Sequence, residues 1–421
     1  MPRRRFFNYP GRNMRSASQL GRWGALAVLG LGAAEVLIMI GPFAGFFYAS
    51  VQFEPLLGFL STSPLTAWLD GFFLNHAVVT RSWLLETQRM LGLYLFALGL
   101  WGFFISAGQV YGNKLLRRGV ATGLLYRFSR HPQYLSLGVA GLGLLTIWPR
   151  FLLLGLWVTM LFLYAALARF EEHRMEERFG DDYRQYAKTK GAFLPGSPMR
   201  RLFMATFGRI RPRALGWATA YVAALTLAFL TGAALRGYTH AHTVVVERPE
   251  AQVMVISAWP QSEEWVHAII DATLADEHVR QHLERLEGRP IVATVLPDRY
   301  VMKGMYYKMP PTEPPDSGAW PAPLRWIGGL AVRFMVPIPG VTVPSDFMGV
   351  DPDESPDPVE VVLSVAEKPY KDSLPLDEAL DAGVRLTPLV VAEVSPTADE
   401  VAVKVPLPQN RFGPKVVMPI F

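Results

Sequence analysis

The sequence contains no cysteine, which excludes a thiol nucleophile, a cysteine-ligated zinc site, an iron–sulfur cluster and a disulfide framework. It is also short of acidic residues in one part: residues 1–237 carry 10 Asp and Glu against 26 Lys and Arg, whereas residues 238–421 carry 26 against 15. The two parts therefore have net charges of +16 and −11. Such a division predicts that the chain occupies two different environments.

Long apolar runs are present, and they explain a mean hydropathy of +0.20, which is too high for an ordinary soluble protein. Each run is close to or above the length of about 20 residues that a helix needs to cross a bilayer. The run at 134–170 is long enough for two short helices that fold back at Trp148, Pro149 and Arg150. We therefore predict a membrane all-α bundle of about five transmembrane helices. The runs are 23–49, 90–110, 134–170 (two spans) and 214–235.

A further apolar stretch, 53–79, is interrupted by Pro55, Pro64, Asp70 and His76, so it is interpreted as a re-entrant or surface-lying piece and not as a sixth span. The distribution of basic residues supports this interpretation. Six arginines and no acid precede the first span, and the loop 112–133 again holds five basic residues and no acid. Because basic loops collect on the cytoplasmic side, the N-terminus is predicted to be cytoplasmic. The first apolar run is about twice as long as the core of a signal peptide, which favours a retained anchor.

The composition changes after Arg236, since 24 of the 34 prolines fall within 238–421 and no further span follows. The predicted domains are a basic cytoplasmic N-terminus (1–22), a transmembrane domain (23–236) and an acidic, proline-rich extracytoplasmic domain (237–421). The simplest location is a bacterial inner membrane, with the last domain in the periplasm. This domain is expected to be a soluble α+β fold. Its predicted elements are one helix over 263–286, strands at 243–247, 291–296, 359–365, 389–394 and 401–405, and exposed loops at 310–315 and 351–358.

The most informative motif lies before the third span, where Arg130, His131, Pro132 and Tyr134 follow one another closely. A proline can begin a helix at this point, and the N-terminus of a helix offers unpaired N–H groups and a positive dipole to anionic groups. The fourth span ends in Glu171 and Glu172. Because the two short helices return the chain to the same side, the basic and aromatic cluster is predicted to meet this pair of carboxylates.

The ordered pattern over residues 88–196 resembles the isoprenylcysteine carboxyl methyltransferase and phospholipid methyltransferase superfamily. The resemblance is carried by several motifs in order, which is more specific than one short string. They are Tyr126, Arg130-His131-Pro132-x-Tyr134, Glu171-Glu172-x-x-Met175-x-x-x-Phe179-Gly180-x-x-Tyr183-x-x-Tyr186 and Leu194-Pro195. Two positions depart from the usual pattern: Ser136 replaces a glycine, which predicts a narrower cofactor pocket, and Met175 replaces a leucine.

The resemblance implies an integral-membrane enzyme that uses S-adenosylmethionine. It implies catalytic roles for Arg130, His131 and Glu172, with Glu172 or His131 as the base where the acceptor is an amine. The implied cofactor-binding residues are Tyr126, Arg130, His131, Pro132, Tyr134, Glu171, Glu172, Tyr183 and Tyr186. Methyl transfer needs orientation and exclusion of water more than acid–base chemistry.

The expected partners are membrane lipids and a hydrophobic methyl acceptor, for which a lipid amine, a thiol and an isoprenoid-linked carboxylate fit equally well. The basic N-terminus is attributed to membrane orientation, and no nucleic acid is expected. No metal is predicted, since His278 and His282 share a helix face without a third ligand nearby. The alternative hypothesis is a non-catalytic structural or assembly subunit that binds a protein partner through residues 237–421.

Overall fold

The computed structural model describes residues 37–50, 63–75, 78–116, 121–249, 252–284, 289–297, 358–366 and 386–404. The predicted N-terminal segment 1–22, the first half of the first predicted span and the predicted loops at 310–315 and 351–357 lie outside the described residues. The chain divides into two compact units. Unit 1 comprises 1–53, 91–146 and 153–229, and unit 2 comprises 54–90, 147–152 and 230–421. The predicted domain limits remain a prediction.

Seven helices occur up to residue 240 of the described chain. They are α1 (Leu37–Ser50), α2 (Pro64–Ala67), α3 (Trp83–Leu115), α4 (Pro132–Ile147), α5 (Phe151–Thr189), α6 (Pro198–Thr206) and α7 (Arg213–His240). Three of these, α3, α5 and α7, are long and apolar enough to cross a membrane. The described part of α1, and all of α4, are apolar but shorter. The described part of each predicted span thus coincides with a helix, while the number of five crossings remains a prediction.

In unit 1, helices α3 and α4 approach so closely that glycine is required at the contact. A Cβ atom on Gly99 would lie 2.3 Å from the backbone nitrogen of Ala140, and one on Gly143 would lie 2.3 Å from that of Phe96. Small residues at helix contacts are the usual way in which apolar helices pack when water does not drive them together. Close backbone packing therefore fixes the position of α4.

Helix α5 packs against the opposite side of α4, where the indole of Trp157 donates to the carbonyl of Gly138 at 3.0 Å. The helix is longer than the predicted fourth span, because it continues through Glu171 and Glu172 to Thr189. Gly180 interrupts it with a φ of 55° and a ψ of −128°, a backbone conformation that favours glycine. The sequence motif around Phe179 and Gly180 is thus a kink inside a helix.

Unit 2 contains a six-stranded mixed sheet whose strand order follows the chain. Its strands are β1 (Val245–Arg248), β2 (Val253–Ser257), β3 (Ile291–Pro297), β4 (Val359–Ala366), β5 (Leu386–Val394) and β6 (Val401–Lys404). Strands β2 and β3 are parallel, and the other neighbouring pairs are antiparallel. The predicted α+β class agrees with this sheet, and β2 is a strand that the sequence interpretation missed.

The predicted helix 263–286 is wrong in its extent, because two helices replace it: α8 (Glu263–Ala275) and α9 (Glu277–Leu283). Asp276 lies between them with an extended backbone, and its carboxylate accepts from the backbone N–H groups of His278 and Val279 at 2.9 and 3.1 Å. An aspartate that satisfies free N–H groups in this way begins a new helix. The apolar periodicity continues across the break, which hides it in the sequence.

The described part of the stretch 53–79 contains no long helix, and its exclusion as a span remains a prediction. It packs into unit 2, however, and is not confined to a surface. Val79 is 5% exposed and belongs to the hydrophobic core of the sheet, and its N–H donates to the carbonyl of Ala258 at 2.8 Å. In the same unit Arg150 forms an ion pair with Asp70 and lies 4.5 Å from the ring centre of Phe72.

Candidate active site

The loop before α4 is held against the chain that follows α5, and this contact positions Arg130 and His131. Their backbone N–H groups donate to the carbonyls of Gly191 and Ala192, each at 3.0 Å. Gly191 is required here, because a Cβ atom at this position would lie 1.8 Å from the carbonyl oxygen of Leu194. Pro132 then begins α4 as its first residue, where a missing N–H costs nothing.

His131 is buried, and both of its ring nitrogens face carboxylates. Nε2 lies 3.1 Å from an Oε1 atom of Glu172, and Nδ1 lies 3.4 Å from Oε2 of Glu171. Only the imidazolium form can donate from both nitrogens at once. Burial lowers the pKa of His131, but the hydrogen bonds and charges of the two glutamates outweigh burial, so that the net shift is upward.

Arg130 binds the same carboxylate as His131. Its Nη2 atom lies 2.6 Å from Oε1 of Glu172, and its Nη1 atom donates to the carbonyl of Ala187 at 2.7 Å. The Nε–H group of Arg130 is buried without a hydrogen-bond partner among the described residues. The guanidinium group therefore has one unused donor next to a carboxylate that is already paired with two cationic groups.

Tyr134 lies one turn into α4 and donates its hydroxyl hydrogen bond to Oε1 of Glu171. Its ring stacks on Tyr164 of α5, with ring centres 4.9 Å apart, and lies 5.8 Å from the ring of His131. The Glu171 side chain remains 40% exposed. One carboxylate of the pair is thus enclosed by cations, whereas the other is still accessible.

The remaining predicted tyrosines lie on the same side of unit 1. The hydroxyl of Tyr126 donates to Gln133, and that of Tyr186 donates to the carbonyl of Tyr126 at 3.3 Å. The rings of Tyr183 and Tyr186 are 6.1 Å apart. Burial raises the pKa of Tyr126, Tyr183 and Tyr186, so these phenols stay neutral.

The structure brings the predicted residues together: Glu171 and Glu172 meet Arg130, His131 and Tyr134, while Tyr126 and Tyr186 adjoin them. Ser136 points elsewhere, since its Oγ atom would lie 2.6 Å from a Cβ atom on Gly102 of α3. It fills the space that this glycine leaves between the two helices. The narrower cofactor pocket that was expected from Ser136 is therefore not supported.

Three further residues belong to the cluster and are not among the predicted site residues. Gln133 accepts from Tyr126, Tyr164 supports Tyr134, and the ring of Phe193 lies 6.1 Å from that of His131. Gln133 and Phe193 adjoin motif residues, which was a usable signal. Tyr164 lies within an apolar run with nothing in the sequence to distinguish it. Within the described ranges, no group of three His, Asp or Glu side chains could hold a metal ion.

Comparison with known proteins gives one match, to the family model of phospholipid methyltransferases, and it covers residues 87–182. No curated protein and no solved structure matches the chain. The match covers less than a quarter of the sequence, but it includes Arg130, His131, Tyr134 and both glutamates. Together with the apolar helices, it indicates an integral membrane protein with a methyltransferase-like region. The resemblance predicted from the sequence is thereby confirmed: residues 87–182 of this chain are similar to the phospholipid methyltransferase family.

Proposed function

We propose that the protein is an integral-membrane methyltransferase that moves a methyl group from S-adenosylmethionine to a hydrophobic or amphiphilic acceptor. The observation that carries this proposal is the convergence of Arg130 and His131 with Glu172. Arg130 and His131 each lie at least 41 positions before Glu172 in the sequence. The three residues nevertheless form one hydrogen-bonded cluster within the region that matches the family.

The residues present fit the cofactor. S-adenosylmethionine carries a carboxylate, an ammonium group and ribose hydroxyls, which require both cationic donors and carboxylate acceptors. The buried Nε–H of Arg130 has no partner among the described residues, so it can donate to the cofactor carboxylate. The exposed carboxylate of Glu171 can accept from its ammonium or hydroxyl groups. When bound, the cofactor supplies an electrophilic methyl group on a positively charged sulfur.

The chain itself is then required to orient and enclose the reactants. His131 holds the two glutamates apart at fixed positions, and Tyr134 fixes Glu171 through its hydroxyl group. Tyr183 and Tyr186 cover the cluster and exclude water. An amine acceptor has to lose a proton before it attacks. The imidazolium form of His131 has no free lone pair, and the two cations that pair with Glu172 stabilise its unprotonated form. We therefore assign the proton to the accessible carboxylate of Glu171.

Calorimetry on the purified full-length protein in detergent tests this proposal. The wild type is expected to bind S-adenosylmethionine, and H131Q and E172Q are expected to bind it at least ~10-fold more weakly, because each loses a charged hydrogen bond in the cluster. The matched control is E177Q, since Glu177 lies on the same helix but is 65% exposed, and its only ion pair within the described ranges is with the exposed His173. Absence of binding by the wild type, or an equal loss in E177Q, would contradict the proposal.

A second candidate function is a structural or assembly subunit. It is supported by the six-stranded sheet of unit 2, which has a hydrophobic core of its own and is much larger than methyl transfer requires. Purification of the wild type and of a chain that ends at residue 237 distinguishes the two. A stoichiometric partner that is lost on truncation, together with absent cofactor binding by the wild type, would favour the subunit.

A further inference from the structure

Three arginines from three helices of unit 1 lie near Trp217. Arg213 precedes Trp217 by four positions on α7, and Arg200 precedes Phe203, the ring partner of Trp217, by three positions on α6. Arg169 of α5 lies 4.0 Å from the ring centre of Trp217. The charges of Arg200, on α6, and Arg213, the first residue of α7, both act repulsively on Arg169. None of the three forms an ion pair or a hydrogen bond with a side chain in the part of the chain that the structure describes. Three unneutralised guanidinium groups in one place favour the binding of an anion.

The surroundings offer no competing negative charge from the following chain. The sequence contains no acidic residue between Asp182 and Glu247. Among the residues that the structure describes, the only carboxylate that attracts Arg169 is Glu172, and it is already paired with Arg130 and His131. The first turn of α7 adds to the positive potential, because this 28-residue helix begins with arginine and has no acid in that turn.

Apolar surface adjoins these charges. Met199 and Leu202 of α6 are 64% and 62% exposed, and Leu215 of α7 is 52% exposed. Phe203, on the same helix as Met199, packs against Trp217 with ring centres 5.2 Å apart, so that α6 is held in place by an aromatic contact. A soluble anion would need only the arginines. A ligand that joins a phosphate to acyl chains would use the apolar surface as well.

We propose that Arg169, Arg200 and Arg213, with Trp217 and the exposed apolar side chains of α6, form a binding site for the headgroup phosphate of an anionic phospholipid. Such a lipid is a bound component at the end of the bundle and not the methyl acceptor. The evidence for this site is the positive charge of the three arginines and the exposed apolar surface of α6. It does not rest on the proposed methyltransferase function.

Native mass spectrometry of the full-length protein in detergent tests this site, with phosphatidylglycerol and phosphatidylcholine titrated separately. The wild type is expected to bind phosphatidylglycerol at least ~10-fold more tightly, and added salt is expected to weaken this binding. R200Q and R213Q should each reduce the affinity ~3- to 10-fold. R169Q should reduce the affinity to a similar extent, and R169K should retain more of it than R169Q, because lysine keeps the charge but not the planar contact with Trp217.

The matched control is R201Q. Arg201 is the neighbour of Arg200 on α6, but its guanidinium group donates to the carbonyl of Gly196 at 2.6 and 3.0 Å. R201Q should therefore leave lipid binding unchanged. An equal loss in R200Q and R201Q would overturn the site in favour of diffuse charge. Displacement of the lipid by inorganic phosphate at an equal concentration would overturn the assignment to a lipid.

Discussion

The Nε2 atom of His131 lies 3.1 Å from an Oε1 atom of Glu172, although the two residues are 41 positions apart in the sequence. The same oxygen atom also accepts from Arg130 at 2.6 Å. Glu172 is thus the acceptor that joins the loop before α4 to helix α5. Its charge is neutralised by two cationic groups that have few other acceptors among the described residues.

The variant E172Q is expected to lower the stability of the protein by about 1–3 kcal/mol, because it leaves two largely buried cations without their carboxylate. E177Q, on the same helix, should change stability by less than about 1 kcal/mol, since the ion pair of Glu177 with His173 is exposed on both sides. Thermal unfolding of both variants in the same detergent measures the difference. Equal unfolding midpoints for the two variants would mean that the cluster contributes nothing to stability.

The pH dependence of stability reports the protonation of His131. The pKa of this residue is raised above its ordinary value of 6.5 by Glu171 and Glu172, which outweigh burial. A raised pKa in the folded state means that the contribution is fully present below about pH 6.5 and is lost as the pH rises through the folded value. The difference in unfolding temperature between the wild type and H131Q should therefore shrink from about pH 6 to about pH 9.

A difference that stays constant or grows with pH over this range would show that His131 is neutral in the folded protein. The control is H282Q in unit 2. The only hydrogen bond of the His282 ring among the described residues is with the carbonyl of His278 at 2.7 Å. The unfolding temperature of H282Q should follow that of the wild type over the whole pH range.

The close contact between α3 and α4 gives a prediction for three glycines. G99A and G143A would each place a methyl group 2.3 Å from a backbone nitrogen of the facing helix, and the helices cannot relieve this by a side-chain movement. We expect each to lower stability by about 2 kcal/mol or more. G108A, on α3 with open space around it, should stabilise the protein slightly, by up to about 1 kcal/mol.

The readout is the unfolding midpoint in detergent, with S-adenosylmethionine binding measured on each variant that folds. Because α4 carries Pro132 and Tyr134, a shift of this helix should weaken cofactor binding together with stability. If G99A and G143A had the same unfolding midpoint and the same cofactor binding as G108A, the two helices would not pack as closely as the structure shows.

The sequence predicted that these residues converge, because the convergence depends on short-range patterns. Pro132 marks the start of a helix, the turn at Trp148 to Arg150 reverses the chain, and the glutamates end an apolar run. Those three signals are enough to bring His131 back to Glu172. The hydrogen bonds from residues 129–131 to Gly191 and Ala192 were not predictable, since they depend on the distance between loops that are about 60 residues apart.

Errors arose where tertiary contacts override a local pattern. The side chain of Ser136 was expected to narrow the cofactor pocket, because a single sequence does not show which face of α4 meets α3. The break at Asp276 was hidden because apolar residues on both sides keep the helical period. Strand β2 is only five residues long and fully buried, so it shows none of the alternation that identifies a half-exposed strand.

The contact of Val79 with the core of unit 2 is expected to stabilise the sheet. Val79 is 5% exposed within the same cluster as Val255 and Trp259, and its N–H donates to Ala258, the residue after β2. V79A removes two buried methyl groups and should destabilise this part of the core by about 1–3 kcal/mol. Local opening should then become more frequent, so the amides of Val253–Ser257 are expected to exchange with deuterium at least ~5-fold faster. V222A, at a position of unit 1 that is 59% exposed, serves as the control. Unchanged exchange in V79A would mean that the segment 78–80 lies on the sheet without contributing to its stability.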